Sequence, residues 1–509
     1  MSDWSQGYVV STDYIFSYCA ELNPGRCQLP LLNAGFATPD IHVACELGFG
    51  QGLSTAIHAA TAPVAWWATD FHPTQTAFAR QLIATSGCSA HMYDQSFEEF
   101  CQRTDLPDFD FIGLHGVWSW IQPHNRQIII DFIRRKLKVG GICYLSYNTQ
   151  PGWAARLPFR HLLDEYAKVM VPPGESMIGR VEAAFDFGEK LVQLQPAFIT
   201  ANPRVAEQFH WIKQADPHYL AHEFFNQAWN SFSFTETAIS LEPAKVTFAA
   251  SANTLDHLDA YHLTEAQQRF LQDIPDPIFQ QTVRDFMINQ QFRQDYWIKG
   301  PRRLSPRERL VSLRQQRVIL NISRDRVHEA SFDIPGEIPL DPERFAVVLD
   351  ALADYRPRTI AALEDELRND GIDLNAILHA ILALMSRNII VQVQSPEQIE
   401  NARPHTERLN NFLINLAEDS DNIIHLASPV TGSAVILRRI PRLFLRALSL
   451  GHETPQAWAE WVWQRFALPN ENRIKDAVPL PVHESLGNLM AQAHQFSTQL
   501  PRLRALGVL

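Results

Sequence analysis

From about residue 41 to residue 149, short apolar runs alternate with amphipathic stretches, the pattern of βαβ units that build a parallel sheet. Five strands are expected: His42 to Gly48 (HVACELG), Val64 to Asp70 (VAWWATD), Ala90 to Tyr93, Phe109 to His115 (FDFIGLH) and Gly141 to Asn148 (GICYLSYN). Helical spacing occupies Leu53 to Ala60, Pro73 to Ser86 and His124 to Lys138, and Val139-Gly140-Gly141 reads as a glycine stop to the last of these. Residues 155 to 235 are helical in pattern and rich in aromatics. Phe234 to Ala250 looks like another helix–strand unit, and Arg293 to Lys299 like a last strand. The fold class expected is α/β: a doubly wound, Rossmann-like sheet closed by about residue 300, with a helical insertion on the way.

After Pro301 the pattern changes. A basic run (Arg302, Arg303, Arg307, Arg309, Arg314, Arg317) reads as a solvated face, or as a dock for an acidic partner. Residues 341 to 394 then read helix, helix, helix, strand, much like a winged-helix unit. From about residue 400, helices combine with a short strand around Val435, and Trp458, Trp461 and Trp463 fall on a helical stretch.

Composition narrows the class. A chain of 509 residues exceeds one hydrophobic core and suggests roughly three units of about 150 residues. Hydrophobic residues make up 46% and charged residues 20%, and no apolar run approaches the roughly 20 residues that span a bilayer. The first residues lack a basic stretch followed by an apolar one, so the expectation is a cytoplasmic protein without membrane insertion. Six scattered cysteines read as reduced, buried thiols, and no metal site is expected. The net charge of −12 argues against nucleic acid as a partner. So does the winged-helix-like stretch itself, where Asp354, Glu364, Asp365, Glu366, Asp370 and Asp373 outnumber Arg356, Arg358, Arg368 and Arg387.

The chemistry-bearing signal is Glu46-Leu47-Gly48-Phe49-Gly50-Gln51-Gly52, where the first buried strand turns into a helix. Three glycines there permit a tight turn and let backbone approach a ligand closely. With the acidic Glu46 before the turn and Asp70 at the end of the next strand, where a carboxylate can accept both ribose hydroxyls, the set points to an adenosyl ligand. The last two glycines are two apart rather than three, which disfavours a nicotinamide dinucleotide and favours S-adenosylmethionine. Phe71 follows Asp70. Asp94, Ser96 and Phe97, at the end of the third strand, are candidates to flank the adenine. His115, Trp118 and Trp120 follow the fourth strand, and Tyr147, Asn148 and Trp153 the fifth. Aromatic rings at strand carboxyl ends suit a sulfonium donor and an amine acceptor, with plain core packing as the alternative for each tryptophan.

ELGFGQG, ATDFHP, FDFIGLHGVWSW and LKVGGICYLSYNTQPGW together resemble the class I methyltransferases that carry a methyltransferase regulatory domain, a bacterial group including the rickettsial lysine methyltransferases of outer-membrane proteins. The resemblance implies that the N-terminal segment, matched by Asp13-Tyr14 through Tyr18 and Glu21-Leu22-Asn23-Pro24, packs over the cofactor, with Tyr14 a contact. It also implies C-terminal domains for partner recognition and methyl transfer to a protein lysine. The division expected is 1–155 for the donor-binding core with its lid, 156–235 for a helical insertion, and 236–300 for completion of the sheet. Residues 301–398 would form a winged-helix-like regulatory domain and 399–509 a C-terminal α+β domain. Every donor motif precedes Trp153, so residues beyond Pro301 are expected to serve acceptor use rather than donor binding.

For the chemistry, Tyr147 and His115 are candidates to orient the acceptor or take its proton, and Asn148 to accept from the amine. The strand is expected to have ended before the Pro151-Gly152 turn, so that Tyr147 and Asn148 both reach the cofactor edge. Alternative readings are a small-molecule or glycan O- or N-methyltransferase, whose C-terminal half shapes a pocket or a homodimer, and a non-catalytic scaffold that senses the donor.

Overall fold

The computed structural model describes residues 7–327, 345–466 and 485–509. Seven strands form its main sheet: β1 (Val43–Leu47), β2 (Ala65–Thr69), β3 (Ala90–Tyr93), β4 (Phe109–Leu114), β5 (Leu137–Asn148), β6 (Val246–Ser251) and β7 (Phe292–Lys299), in the order β3-β2-β1-β4-β5-β7-β6. β1 to β5 pair in parallel, and β7 inserts antiparallel between β5 and β6. The order reverses between β1 and β4, and a doubly wound sheet opens its ligand crevice beyond the strand ends at such a point. Continuous burial along β4 reflects apolar layers on both faces, as a parallel sheet requires.

Two local readings are corrected. The helix Pro123–Lys136 passes directly into β5 at Leu137, so Val139-Gly140-Gly141 is no helix stop. Gly140 takes a φ of +84° at the start of the strand, beside the irregularity in the β4–β5 register between Phe109 and Phe111. β5 also does not end before Tyr147. It pairs with β7 through Asn148, opposite Phe292.

Between β5 and β6, the helices Leu157–Val169, Met177–Gln193, Pro203–Ile212 and Pro217–Phe225 enclose a core of Phe159, Leu163, Phe185, Phe209 and Phe224. Val9 joins that core, and its N–H donates to Asn226 Oδ1 at 2.9 Å, fastening the N-terminal segment to the insertion.

The strands β8 (Arg317–Leu320), β9 (Arg358–Thr359) and β10 (Ile390–Gln392) form a small antiparallel sheet in the order β10-β8-β9, packed with the helices Ile360–Glu366 and Leu374–Ser386. The basic run is tied into this region: Arg314 is bidentate on Glu364 at 2.7 and 2.9 Å, Arg309 donates to the Leu32 carbonyl, and Arg303 stacks over Phe36. The hairpin β11 (His425–Ser428) and β12 (Ser433–Ile436) lies among the helices Pro396–Asn415, Arg439–Ser449, Pro455–Phe466 and Leu486–Ser497.

The helix Leu53–Thr61, which follows the glycine loop, is buried along its whole length. Its Leu53, Ala56, Ile57 and Ala60 share one core with Leu409, Leu426, Phe444, Trp458 and Phe496 of the C-terminal region. The donor-loop helix therefore has the C-terminal region as its outer wall, and each buried Leu or Ile there contributes about 1.5–3 kcal/mol.

Candidate functional site

A pocket of about 810 Å³ opens beyond the carboxyl ends of β1 and β4. Glu46, Gly48, Gly50, Asp70, Phe71, Phe97, His115, Tyr14 and Trp120 line it, so most of the sequence-expected donor residues converge there. The loop is shaped by its glycines: at Gly48 (φ +81°) a Cβ would lie 2.5 Å from Val117 Cγ2, and at Gly52 (φ +73°) 2.4 Å from Ala79 Cβ. Gly52 thus acts through the turn and its contact with the helix Pro73–Ser86 rather than as a wall of the pocket.

Asp70 closes the loop. Its Oδ2 accepts from the Gly50 N–H at 2.9 Å and its Oδ1 from the His72 N–H at 3.0 Å, leaving further lone pairs for a ligand. Burial pushes its carboxyl up to about 6 despite those bonds. Glu46 is held by the Thr55 hydroxyl, and burial pushes it up to about 7. His115 accepts from or donates to the Tyr144 hydroxyl through Nδ1 at 2.8 Å, with the two rings parallel, and burial lowers its pKa, so it stands neutral at pH 7. Aromatic and apolar walls around two carboxylates fit a ribose and a sulfonium cation. Among the described residues, no group of three or more His, Cys, Asp or Glu is arranged for a metal ion.

Several expected residues lie elsewhere. Asp94 turns to solvent and pairs with Arg80 at 3.3 Å, and Gln95 lines the pocket in its stead. Ser96 caps the helix Phe97–Cys101 in a reciprocal box with Glu99. Trp118 is fully buried in the core beneath the sheet, and Trp153 packs on Trp229 with ring centroids 4.5 Å apart. For these two, core packing describes the surroundings. Because β5 continues through Asn148, strand alternation sends Tyr147 to the opposite face, where its hydroxyl donates to Asp295 Oδ2 at 3.2 Å within an Arg293–Asp285–Asp295 cluster. Asn148 faces the other way, its amide Nδ2 3.5 Å from Glu223 Oε1.

Residues that sequence reasoning missed lie in the pocket wall and beside it. Tyr8 lines the pocket with its ring edge-on to Phe71 at 5.6 Å, and His222 lies between Tyr8 and Tyr14 at 5.2 and 5.0 Å. Glu223, from the helix Pro217–Phe225, is 5% exposed, and burial pushes its carboxyl up to about 7 against the pull of Arg160 and Arg156. Its charge is felt by both Tyr8 and Tyr14, raising their pKa values further above what burial does. No local motif announces these residues; they meet through contacts between the N-terminal segment, β5 and the insertion.

A seven-stranded sheet with one antiparallel strand beside β5, a glycine loop after β1 and acids at the ends of β1 and β2 define a class I methyltransferase with S-adenosylmethionine as methyl donor. The sequence matches the model of a methyltransferase domain over residues 45–145 and that of a predicted methyltransferase regulatory domain over residues 216–299. It is 35% identical over 512 residues, 99% of each chain, to an uncharacterized protein of Synechocystis sp., and belongs with it to the family of methyltransferases carrying that regulatory domain. An uncharacterized protein of Rickettsia prowazekii is 26% identical over 197 residues, which is 38% of this chain and 35% of the relative. PKMT2 from Rickettsia typhi, solved in complex with AdoHcy, has the same fold, with a TM-score of 0.67 over 96% of this chain and 98% of that chain at 15% identity. Among the described residues, no helix is long and apolar enough to cross a membrane.

Proposed function

We propose that the methyl acceptor is the side-chain amine of a lysine in a protein, and that Glu223 and Asn148 receive that amine. The observation that carries this reading is the pairing of a buried carboxylate with the Asn148 amide at 3.5 Å, beside the aromatic rings of Tyr8 and Tyr14. Aromatic faces attract a cationic side chain while excluding water, and a buried carboxylate compensates its charge. The resemblance to the rickettsial lysine methyltransferases points the same way.

In the donor half, Asp70 holds the ribose hydroxyls, Phe97 and Phe71 pack on the adenosyl group, and Glu46 fixes the loop through Thr55. Bound there, S-adenosylmethionine supplies a methyl carbon that the amine lone pair attacks in line, the C–S bonding pair leaving with sulfur. The lysine ammonium, with a reference pKa of about 10.4, must first lose a proton. Glu223 takes it, being a carboxylate whose affinity for protons near neutral pH is raised by burial. Asn148 accepts from a remaining N–H through its carbonyl oxygen, and Trp120 and Tyr14 exclude water from the path.

Incubation with methyl-labelled donor and fractionated cell extract, followed by acid hydrolysis, tests the acceptor. The expected result is label in protein, recovered as methylated lysine. Label in small molecules or glycans, or no transfer at all, overturns the proposal.

A further inference from the structure

A second cavity, of about 950 Å³ and open to solvent, lies away from the donor pocket, where residues 23–28, the approach to β8, the end of β10 and the β11–β12 hairpin meet. Its walls carry two guanidinium groups, Arg26 and Arg317, seven amide side chains and three hydroxyls, but no carboxylate and no aromatic ring. In a chain with a net charge of −12, such a lining is a local reversal of the prevailing field.

The two arginines are in different situations. Arg26 has Glu21 Oε1 3.6 Å from its Nη2 and donates through Nη1 to Asn388 Oδ1 at 2.9 Å. Arg317 donates to the Gln394 carbonyl at 2.9 Å, and among the described residues no carboxylate lies within ion-pair distance of it. Three residues earlier, Arg314 is fully paired with Glu364, so the chain balances a guanidinium here when packing alone is needed. The 20-residue helix Pro396–Asn415 opens its N-terminal turn on the same cavity through Ser395 and Gln398, adding partial positive charge. The side-chain amides of Gln28 and Gln315, also in the walls, make no hydrogen bond among the described residues and retain their donors and acceptors.

A fork of guanidinium donors suits a phosphate, neutral amides and hydroxyls suit ligand hydroxyls, and the lack of a ring leaves no platform for a nucleobase. We propose that this cavity is a regulatory site for a small, hydroxyl-rich phosphate ester of the sugar-phosphate class, with Arg317 as its phosphate anchor. The route to the donor pocket is short. Cys19 and Leu22 line that pocket, and the same segment continues through Asn23, which donates to the Gly432 carbonyl at 2.7 Å, to Arg26 in the second cavity. A ligand bridging Arg26 to Arg317 ties this segment to the small sheet and the hairpin, and so favours the donor-binding arrangement.

Calorimetry on the full chain tests the site, with glucose 6-phosphate, inorganic phosphate and glucose as probes and with S-adenosylmethionine titrated before and after saturation. The expected result is saturable binding of glucose 6-phosphate, at least about tenfold tighter than either glucose or inorganic phosphate, with donor affinity raised about threefold or more. Arg317→Gln is expected to weaken glucose 6-phosphate binding about tenfold. Gln28→Leu is expected to weaken it by a smaller factor and keeps the test open if the first variant fails to fold. No saturable heat with the ester, equal binding of glucose or of free phosphate, an unchanged donor affinity, or binding that survives both substitutions would each overturn the proposal.

Discussion

The donor pocket and the acceptor region proposed beside it are built by different means. Most of the pocket's wall comes from one stretch of chain, with Glu46, Gly48, Gly50, Asp70, Phe71, Phe97 and His115 all lying from β1 to the turn after β4, and the N-terminal segment adds Tyr8, Tyr14, Cys19 and Leu22. The proposed acceptor region lies beside that wall, where His222 of the helical insertion meets the rings of Tyr8 and Tyr14, and Glu223 meets Asn148, the last residue of β5. The first is a motif whose geometry follows from the strand–turn–helix that carries it. The second exists only once distant segments have packed, as the Val9–Asn226 bond across 217 residues illustrates. The glycine loop and its acids therefore follow from local structure, whereas the proposed acceptor region depends on the elements added around the sheet.

That contrast has a limit, since the donor helix Leu53–Thr61 leans on the C-terminal region. The largest expected effect comes from breaking that contact. Ile57→Ala should cost about 2–5 kcal/mol in a denaturant melt, and a chain ending near Gly300, which strips the outer wall from Leu53 and Ile57, should show no cooperative unfolding. That packing argues against the expectation that residues beyond Pro301 serve acceptor use rather than donor binding. A truncated chain that melts cooperatively and binds donor would restore it.

Within the donor end, Asp70→Ala should weaken S-adenosylmethionine binding by about 1.5–3 kcal/mol in calorimetry, because a charged acceptor for two hydroxyls is lost and the Gly50 N–H is released. Unchanged affinity in a folded variant would move the ribose elsewhere. Glu46 gives a pH signature. Its carboxyl is raised from its ordinary value to about 7, so the stability it contributes is present below the unfolded value of about 4.5 and is lost as pH rises through about 7. Relative to wild type, Glu46→Gln should therefore gain thermal stability between about pH 5 and 8. A difference in Tm that stays flat across that window would contradict the assigned burial effect.

The smallest effect is expected at Tyr147. With its hydroxyl on Asp295 in the core and Arg293 still pairing that carboxylate, Tyr147→Phe should cost about 1 kcal/mol of stability and leave single-turnover methyl transfer within about twofold of wild type. A large loss of turnover would return Tyr147 to the reacting centre.

Much of the sheet was legible because burial on both faces writes itself as apolar runs and the glycine loop has a spacing of its own. Pro73 and Gly87 bracket a helix that matches its expected bounds, Pro73–Ser86. The misreadings share a cause. The Pro151-Gly152 turn suggests that the strand has ended by Tyr147, but pairing with β7, some 145 residues later in sequence, carries β5 on through Asn148. Val139-Gly140-Gly141 reads as a helix end because glycines commonly stop helices, but the positive φ of Gly140 is accommodated equally well at a strand start. The position of Asp94 after β3 suggests an adenine contact, whereas its side chain turns to Arg80 on the neighbouring helix. His222 and Glu223 carry no local signature at all, since a neighbouring His and Glu in a helix are ordinary until the fold buries them.

The central claim is that Glu223 serves the acceptor and not the donor. Its most direct test compares Glu223→Gln with wild type in S-adenosylmethionine calorimetry and in single-turnover transfer to a lysine-containing protein acceptor across pH. Donor affinity is predicted to stay within about twofold, transfer to fall about 100-fold or more, and the rise in wild-type rate with pH through about 7 to disappear in the variant. Transfer that keeps the wild-type rate and pH profile, or a loss that is accounted for by weakened donor binding, would contradict the assignment of Glu223 to the acceptor.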